Sequence, residues 1–167
     1  MWKWVLEAFS DSPAKLAVAR KMIENGLCLN KDGKVCCGDI EIKEISLAKA
    51  CGVDRRVVSA TIKRILADER LSVIFLKIRP AGAMLKDIAQ EFGFGVVELE
   101  ADAKRPAIIA NATRFLGNAG ISIRQIYAKD PDLFENPTLI IIAEKRIPGN
   151  LLNSFRRIPG VRKVSIL

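Results

Sequence analysis

The sequence predicts an α+β chain, helical through its first half and built in βαββαβ order through its second. Three observations predict this. Apolar residues such as Leu16, Ala19, Met22 and Ile23 recur at helical three- and four-residue intervals in the first 80 residues. After residue 94 the pattern changes to short alternating or β-branched runs, of which Thr138-Leu139-Ile140-Ile141-Ile142-Ala143 is the densest. Half of the residues are apolar, enough to give each half of a 167-residue chain its own core.

The elements follow in order. Trp2, Val5, Leu6 and Phe9 fall at helical spacing, and the segment is too short and too acidic at its end for a secretory signal. Ser12-Pro13 looks like an N-cap followed by proline at the first helical position, and Gly26 is a natural stop. Asn30-Lys31-Asp32-Gly33-Lys34 is turn chemistry, so residues 27–29 and 35–37 are expected to pair as a weak hairpin. Residues 39–42 alternate like a short strand. The stretch 71–78 is ambiguous: Val73 to Leu76 fits a buried strand, whereas Leu71, Ile74, Phe75 and Ile78 fit one helix face, and helix is preferred. Met84, Leu85, Ile88 and Phe92 predict an amphipathic linking helix ended by Gly93. Then come a strand over 96–101, a helix over 105–119 with Ile108, Ala112 and Phe115 inward, and strands over 121–128 and 138–143. A helix from Pro148 with Leu151, Leu152, Phe155 and Ile158 on one face, and a last strand over 161–167, complete the chain. Two βαβ halves in this order form a four-stranded antiparallel sheet with two helices on one face. The expected domains are 1–80, a linking helix over 81–94, and 95–167.

Composition narrows the chemistry. The net charge is +8, divided equally between residues 1–94 and 95–167, which favours polyanionic partners in general. Histidine is absent, which removes imidazole acid–base catalysis, Ser-His and Cys-His nucleophile pairs and imidazole metal ligation. Cys28, Cys36, Cys37 and Cys51 match no Cys-x-x-Cys pair and no zinc ribbon, so free thiols in a reducing compartment are expected rather than a metal site. The acids between Asp130 and Glu135 sit in a proline-rich context that reads as a solvated turn. No apolar run approaches the roughly 20 residues needed to span a bilayer.

Residues 45–65 read as a helix-turn-helix. Gly52 sits where the chain must turn sharply with φ > 0, Ala48 is small where two helices cross, and Asp54 can cap the second helix. Val58, Ile62 and Ile65 form an inward stripe, leaving Arg55, Arg56, Ser59, Lys63 and Arg64 to project outward. In a major groove, Arg55, Arg56 and Ser59 would reach base edges, and Lys63 and Arg64 would meet phosphates. The Asp32-Gly33 hairpin, with Lys31 and Lys34 at its tip, reads either as a basic wing to this region or as a simple solvated turn. An ordinary helical pair with a solvated basic face would carry the same residues.

In the second half, Asp102-Ala103-Lys104-Arg105-Pro106-Ala107-Ile108-Ile109, Gly120-Ile121-Ser122-Ile123 and Ile158-Pro159-Gly160-Val161-Arg162-Lys163-Val164 resemble an ACT domain, the ferredoxin-like βαββαβ ligand-sensing module of amino-acid metabolism. With the helix-turn-helix in front, the whole chain resembles a family of predicted regulators of amino-acid metabolism known mainly from archaea. The resemblance implies an amino acid or similar small metabolite bound at the loop before the first helix of that half, often across a dimer interface. Ala103, Lys104, Arg105, Pro106, Ala107 and Ile108 would form that loop site, with Ile121, Ser122 and Ile123 as the neighbouring strand wall. Unpaired N–H groups at a helix start, together with Lys104 and Arg105, suit a carboxylate. One departure stands out: ACT loops usually place glycine directly after the proline, and this chain has Ala107. Its methyl is either accommodated or closes the pocket, leaving a domain that only dimerises.

The expected function is a cytoplasmic, ligand-responsive regulator, a homodimer or higher, with DNA and a small effector as partners and no cofactor, metal or membrane. The alternative is an allosteric subunit or adaptor that docks on an amino-acid biosynthetic enzyme without binding DNA. With no histidine, no phosphate-cradling glycine loop and no nucleophile motif, the chain does not read as an enzyme.

Overall fold

The computed structural model describes residues 2–167, so Met1 lies outside the described residues. It is a mixed α+β structure with two antiparallel sheets, dividing into compact units over 1–82 and 83–167.

In the first unit, α1 (Trp2–Ala8) precedes α2 (Pro13–Glu24), which starts with proline in its first turn; the Ser12 hydroxyl makes no capping bond. The α2 stop is a Schellman turn, with Leu27 N–H donating to Met22 O at 2.8 Å and Gly26 N–H to Ile23 O at 3.1 Å. Gly26 takes φ 62°, and a Cβ there would lie 2.6 Å from the Pro80 backbone, so no larger residue fits. The hairpin segments then form a three-stranded sheet, β1 (Cys28–Leu29), β2 (Val35–Cys37) and β3 (Ile40–Glu41), with Cys28 opposite Cys36. Burial pushes the Cys36 thiol up. Next come α3 (Glu44–Cys51), α4 (Arg55–Ala67) and α5 (Glu69–Lys77). The ambiguous 71–78 stretch is therefore helical through Lys77. The Asp68 carboxylate decides its start by accepting from the N–H groups of both Arg70 and Leu71. Val58, Ile62 and Ile65 are buried as the stripe predicts, beside Val18, Met22, Leu47 and Phe75. Thr61 is fully buried, and its hydroxyl donates to Val57 O at 2.7 Å, so the polar group is satisfied inside the core.

The second unit carries β4 (Gly95–Ala101), α6 (Ile108–Asn118), β5 (Ile123–Ala128), β6 (Thr138–Ala143), α7 (Leu151–Arg156) and β7 (Val161–Ile166). The sheet order is β5-β6-β4-β7, all antiparallel. Period-two alternation sends Val97, Leu99, Leu139 and Ile141 to one face, where they pack with Ala112, Leu116, Phe155 and Ile158. Phe115 meets Phe155 edge-on at 6.1 Å, a geometry worth about 0.5–1.5 kcal/mol beyond burial. Gly120, at φ 63°, ends α6 in another Schellman turn, with Ile121 N–H donating to Leu116 O.

Two expectations are corrected. α6 begins at Ile108, not 105, because residues 102–106 are held in a turn in which Arg105 N–H donates to Asp102 O and Lys104 N–H to the Asp102 carboxylate. The expected linking helix over 81–94 is instead two single 3₁₀ turns, Lys86–Ile88 and Gln90–Phe92, and its residues from Ala83 belong to the second unit. Their apolar residues find a partner without a full helix: Leu85, Ala89 and Phe94 pack on Val96, Ile140 and Ile142, the sheet face away from α6 and α7. The Gln125 amide pins this segment by accepting from Leu85 N–H and donating to Ala83 O, and Lys86 pairs with Glu98 at 2.6 Å. The second face of the sheet is thus partly covered as well, over Val96, Ile140 and Ile142.

Candidate functional site

Two regions bring chemistry-bearing residues together, one in each unit. The first is the outer face of α4. Helices α3 and α4 are joined through Gly52-Val53-Asp54. Gly52 takes the left-handed conformation, φ 64°, and the bonds from Val53 N–H to Ala48 O and from Gly52 N–H to Lys49 O close a Schellman turn. Asp54 then caps α4 by accepting from Arg56 N–H at 2.8 Å. That backbone bond, with the Arg56 guanidinium, holds the Asp54 carboxyl below its ordinary range. The turn is therefore fixed by local chemistry at both of its ends.

The five candidate residues on α4 do not share one fate. Arg55, Arg56 and Lys63 are exposed. The Arg56 side chain is 92% exposed although its Nε lies 3.1 Å from Asp54, so little holds it in place. Lys63 has no charged partner among the described residues. Ser59 is half-buried, and its hydroxyl donates to Glu44 at the start of α3, which also sits 3.7 Å from Arg55. Arg64 is half-buried, with Nη1 donating to both Asp11 oxygens at 3.0 and 3.1 Å and its guanidinium 5.4 Å from the Phe9 ring centre. The expectation of an outward Arg64 is corrected: one side-chain reach from α4 brings it to the α1–α2 junction, where an acid and an aromatic ring hold it. At the hairpin, Lys34 is paired with Glu41 at 2.9 Å, so Lys31 is the unpaired cation of the tip among the described residues.

The second region is a cavity of about 530 Å³ in the second unit. Leu99, Ala101 and Leu139 form its floor, and Pro106, Ala107, Ile108 and Ile109 at the start of α6 form one wall. Ala128, Lys129, Pro137 and Thr138 form the other wall. This follows from topology. In an antiparallel sheet with this strand order, the end of β4, the end of β5 and the start of β6 lie at one edge, and α6 starts above them.

Ala107 is the one non-glycine residue with positive φ among the described residues, at φ 68° and ψ 4°. It occupies the N-cap position of α6, and no side chain caps the helix. Among the described residues nothing accepts from the N–H groups of Ile108, Ile109 or Ala110, which face the cavity end of the helix. Arg105 lines the cavity with its stem laid over Gly160, where a Cβ would come within 2.7 Å of the Arg105 Cδ. Lys129 lines it from the far wall, its ammonium 5.4 Å from the Phe134 ring centre.

Of the loop residues singled out in the sequence, Ala103, Arg105, Pro106, Ala107 and Ile108 line the cavity, whereas Lys104 is exposed outside it. The Ala107 methyl does not close it. Ile121, Ser122 and Ile123, the expected strand wall, do not reach this cavity. Ile123 pairs with Ala143 at the opposite end of β5 from Ala128, some five residues and therefore about 17 Å away. Ile121 is buried in the core behind α6. The residues that replace them, Ala128, Lys129, Pro137 and Thr138, flank a loop that reads from sequence only as a turn. Within that loop the Asp130 carboxylate accepts from Asp132 N–H, and no cluster of three potential metal ligands occurs among the described residues. No helix among them is long and apolar enough to cross a membrane.

No protein-family model matches this chain, and no curated protein matches it. Solved structures with partial likeness include that of PH0061, at 14% identity over 93% of this chain and 90% of the other, with a TM-score of 0.28. A second is the transcriptional regulatory protein PF0864 of the ASNC family from Pyrococcus furiosus, at 11% identity, 75% and 77% coverage and TM-score 0.27. A third is the transcriptional regulator NMB0573 from Neisseria meningitidis in complex with L-Met, at 10% identity, 93% and 87% coverage and TM-score 0.28. Two of these neighbours are thus transcriptional regulators, but superpositions this partial carry no argument about the function of this chain.

Proposed function

We propose that this chain is a ligand-responsive regulator of amino-acid metabolism, with α3 and α4 as a DNA-binding helix-turn-helix and the 83–167 unit as an ACT-like sensor of a small metabolite. The observation that carries the reading is the outer face of α4, where Arg55, Arg56 and Lys63 are exposed next to a turn fixed by Gly52 and Asp54. Cations on the first turn of a groove-entering helix reach base edges, and a cation two turns later meets the backbone. The cavity in the second unit supports sensing, because a pocket of this volume lined mainly by aliphatic side chains with a few polar groups suits a small metabolite. As a dimer, the protein would present two α4 helices, and effector binding would change affinity by altering their spacing.

Glu44 weighs against DNA binding, since its carboxylate engages Arg55 and Ser59 on the face that DNA would use, and the rival reading is an adaptor for a metabolic enzyme. Gel-shift titration over a range of salt separates the two. A DNA-binding protein loses affinity steeply with salt; the double change Arg55→Ala with Arg56→Ala weakens binding and relaxes sequence preference, whereas Lys63→Ala lowers the slope of log K on log salt by roughly 1 per protomer. DNA affinity indifferent both to salt and to that double change rejects the DNA-binding reading.

A further inference from the structure

The charge inventory of the cavity defines its ligand more narrowly than the proposal of metabolite sensing does, and the ligand class drawn from it rests on that proposal. Arg105 and Lys129 line the cavity from opposite walls, and neither is paired with a carboxylate among the described residues. Thr138 adds one hydroxyl, and the remaining lining is aliphatic. The first turn of α6 contains no acid, so the free N–H groups of Ile108, Ile109 and Ala110 add positive potential that no side chain offsets. No acid lines the cavity: Glu100 pairs with Lys163 at 3.1 Å, Asp102 and Asp130 each accept a backbone N–H within their own turns, and Asp132 and Glu135 lie in the loop beyond Lys129 without reaching the lining.

A zwitterionic amino acid is poorly matched to this inventory. Its carboxylate would be satisfied, but its ammonium would sit beside two cations and a helix start with no counter-charge among the lining residues. A sugar phosphate is poorly matched for another reason, since its hydroxyls would meet aliphatic walls with one threonine to bond them. We infer that the cavity takes an aliphatic carboxylate without an amino group, such as a 2-oxo acid, with its carboxylate at the cationic rim supplied by Arg105, Lys129 and the start of α6 and its tail over Leu99 and Leu139. A regulator built this way would report the level of a deaminated carbon skeleton in place of the amino acid.

The test is calorimetric titration of the full chain with three probes that share a branched aliphatic tail: 4-methyl-2-oxopentanoate, L-leucine and 3-methylbutan-1-ol. The oxo acid is expected to bind tightest, with leucine roughly tenfold weaker because its ammonium is repelled by two cations and meets no counter-charge. Lys129→Gln should weaken the oxo acid by roughly tenfold and narrow its lead over leucine, while the variant without ligand still unfolds cooperatively with only a small drop in midpoint from the lost Phe134 contact. Arg105→Gln serves as the second variant with the same expected direction. Leucine binding as tightly as the oxo acid, or more tightly, overturns the inference and leaves metabolite sensing standing. Equal binding of the alcohol also overturns it, since the cations would then play no part. Failure of all three probes overturns it too, and failure of a full amino-acid panel besides would remove the sensing reading itself.

Discussion

Replacing Ala107 by glycine should stabilise the protein, although the change deletes a methyl group. Ala107 sits at φ 68° and ψ 4°, in the left-handed region. Holding an L-residue with a Cβ there costs about 1–2 kcal/mol, and glycine escapes that cost. Two smaller effects must be set beside it. Glycine gives the unfolded chain more freedom, a penalty of about 0.4–1 kcal/mol. Alanine is also a poor N-cap, and glycine at the start of α6 is better by a few tenths of a kcal/mol at least. The methyl itself contributes little packing, because Ala107 is exposed at the cavity wall. The balance is a gain of about 0.5–1 kcal/mol. Urea denaturation followed by far-ultraviolet circular dichroism measures it as a rise in midpoint at unchanged slope. A loss of stability would refute the reasoning, since it would mean that residue 107 is not left-handed or that its methyl supports the loop in a way the geometry does not show.

Other outcomes are set by the same geometry. Lys63→Ala and Arg64→Ala should separate binding from stability: on the proposed DNA-binding reading, the first weakens DNA binding with no change in unfolding midpoint. The second should lower the unfolding midpoint slightly through loss of the Asp11 pair and the Phe9 contact, which paired denaturation and gel-shift measurements would detect. The carboxyls of Asp11, Asp54 and Asp68 are held below the ordinary aspartate value of 3.8, Asp11 by its bond from Arg64 and the other two by the backbone N–H groups they cap. Folded values below the unfolded ones mean that this stabilisation is complete above the unfolded value and disappears as pH falls through the folded ones. Stability should therefore decline below about pH 4, and Asp54→Asn, which keeps the cap and removes the charge, should flatten that acid limb in pH-resolved denaturation.

Local chemistry made much of this molecule legible in advance. Gly52 and Asp54 could be placed from sequence because one residue type tolerates φ > 0 and another caps a helix, and both effects act within three residues. The βαββαβ order was legible because strands of period two and helices of period 3.6 differ within a single window. Residues 84–92 misled for an instructive reason. Their spacing is helical, but two 3₁₀ turns set Leu85 and Ala89 against the sheet, and the Gln125 amide that holds Leu85 lies 40 residues away.

The sequence alone determined which residues could turn, cap, alternate or carry charge, because those properties belong to a residue and its nearest neighbours. Tertiary structure decided where the charges point. Arg64 left the outer face for Asp11 and Phe9, and Ser59 turned to Glu44, though their sequence positions give no sign of it. It also assembled the cavity, drawing Lys129 and Thr138 to the start of α6 while leaving Ile123 at the far end of the same strand. An antiparallel register brings together residues whose separation along the chain carries no trace of their meeting, and so the site had to be found in three dimensions.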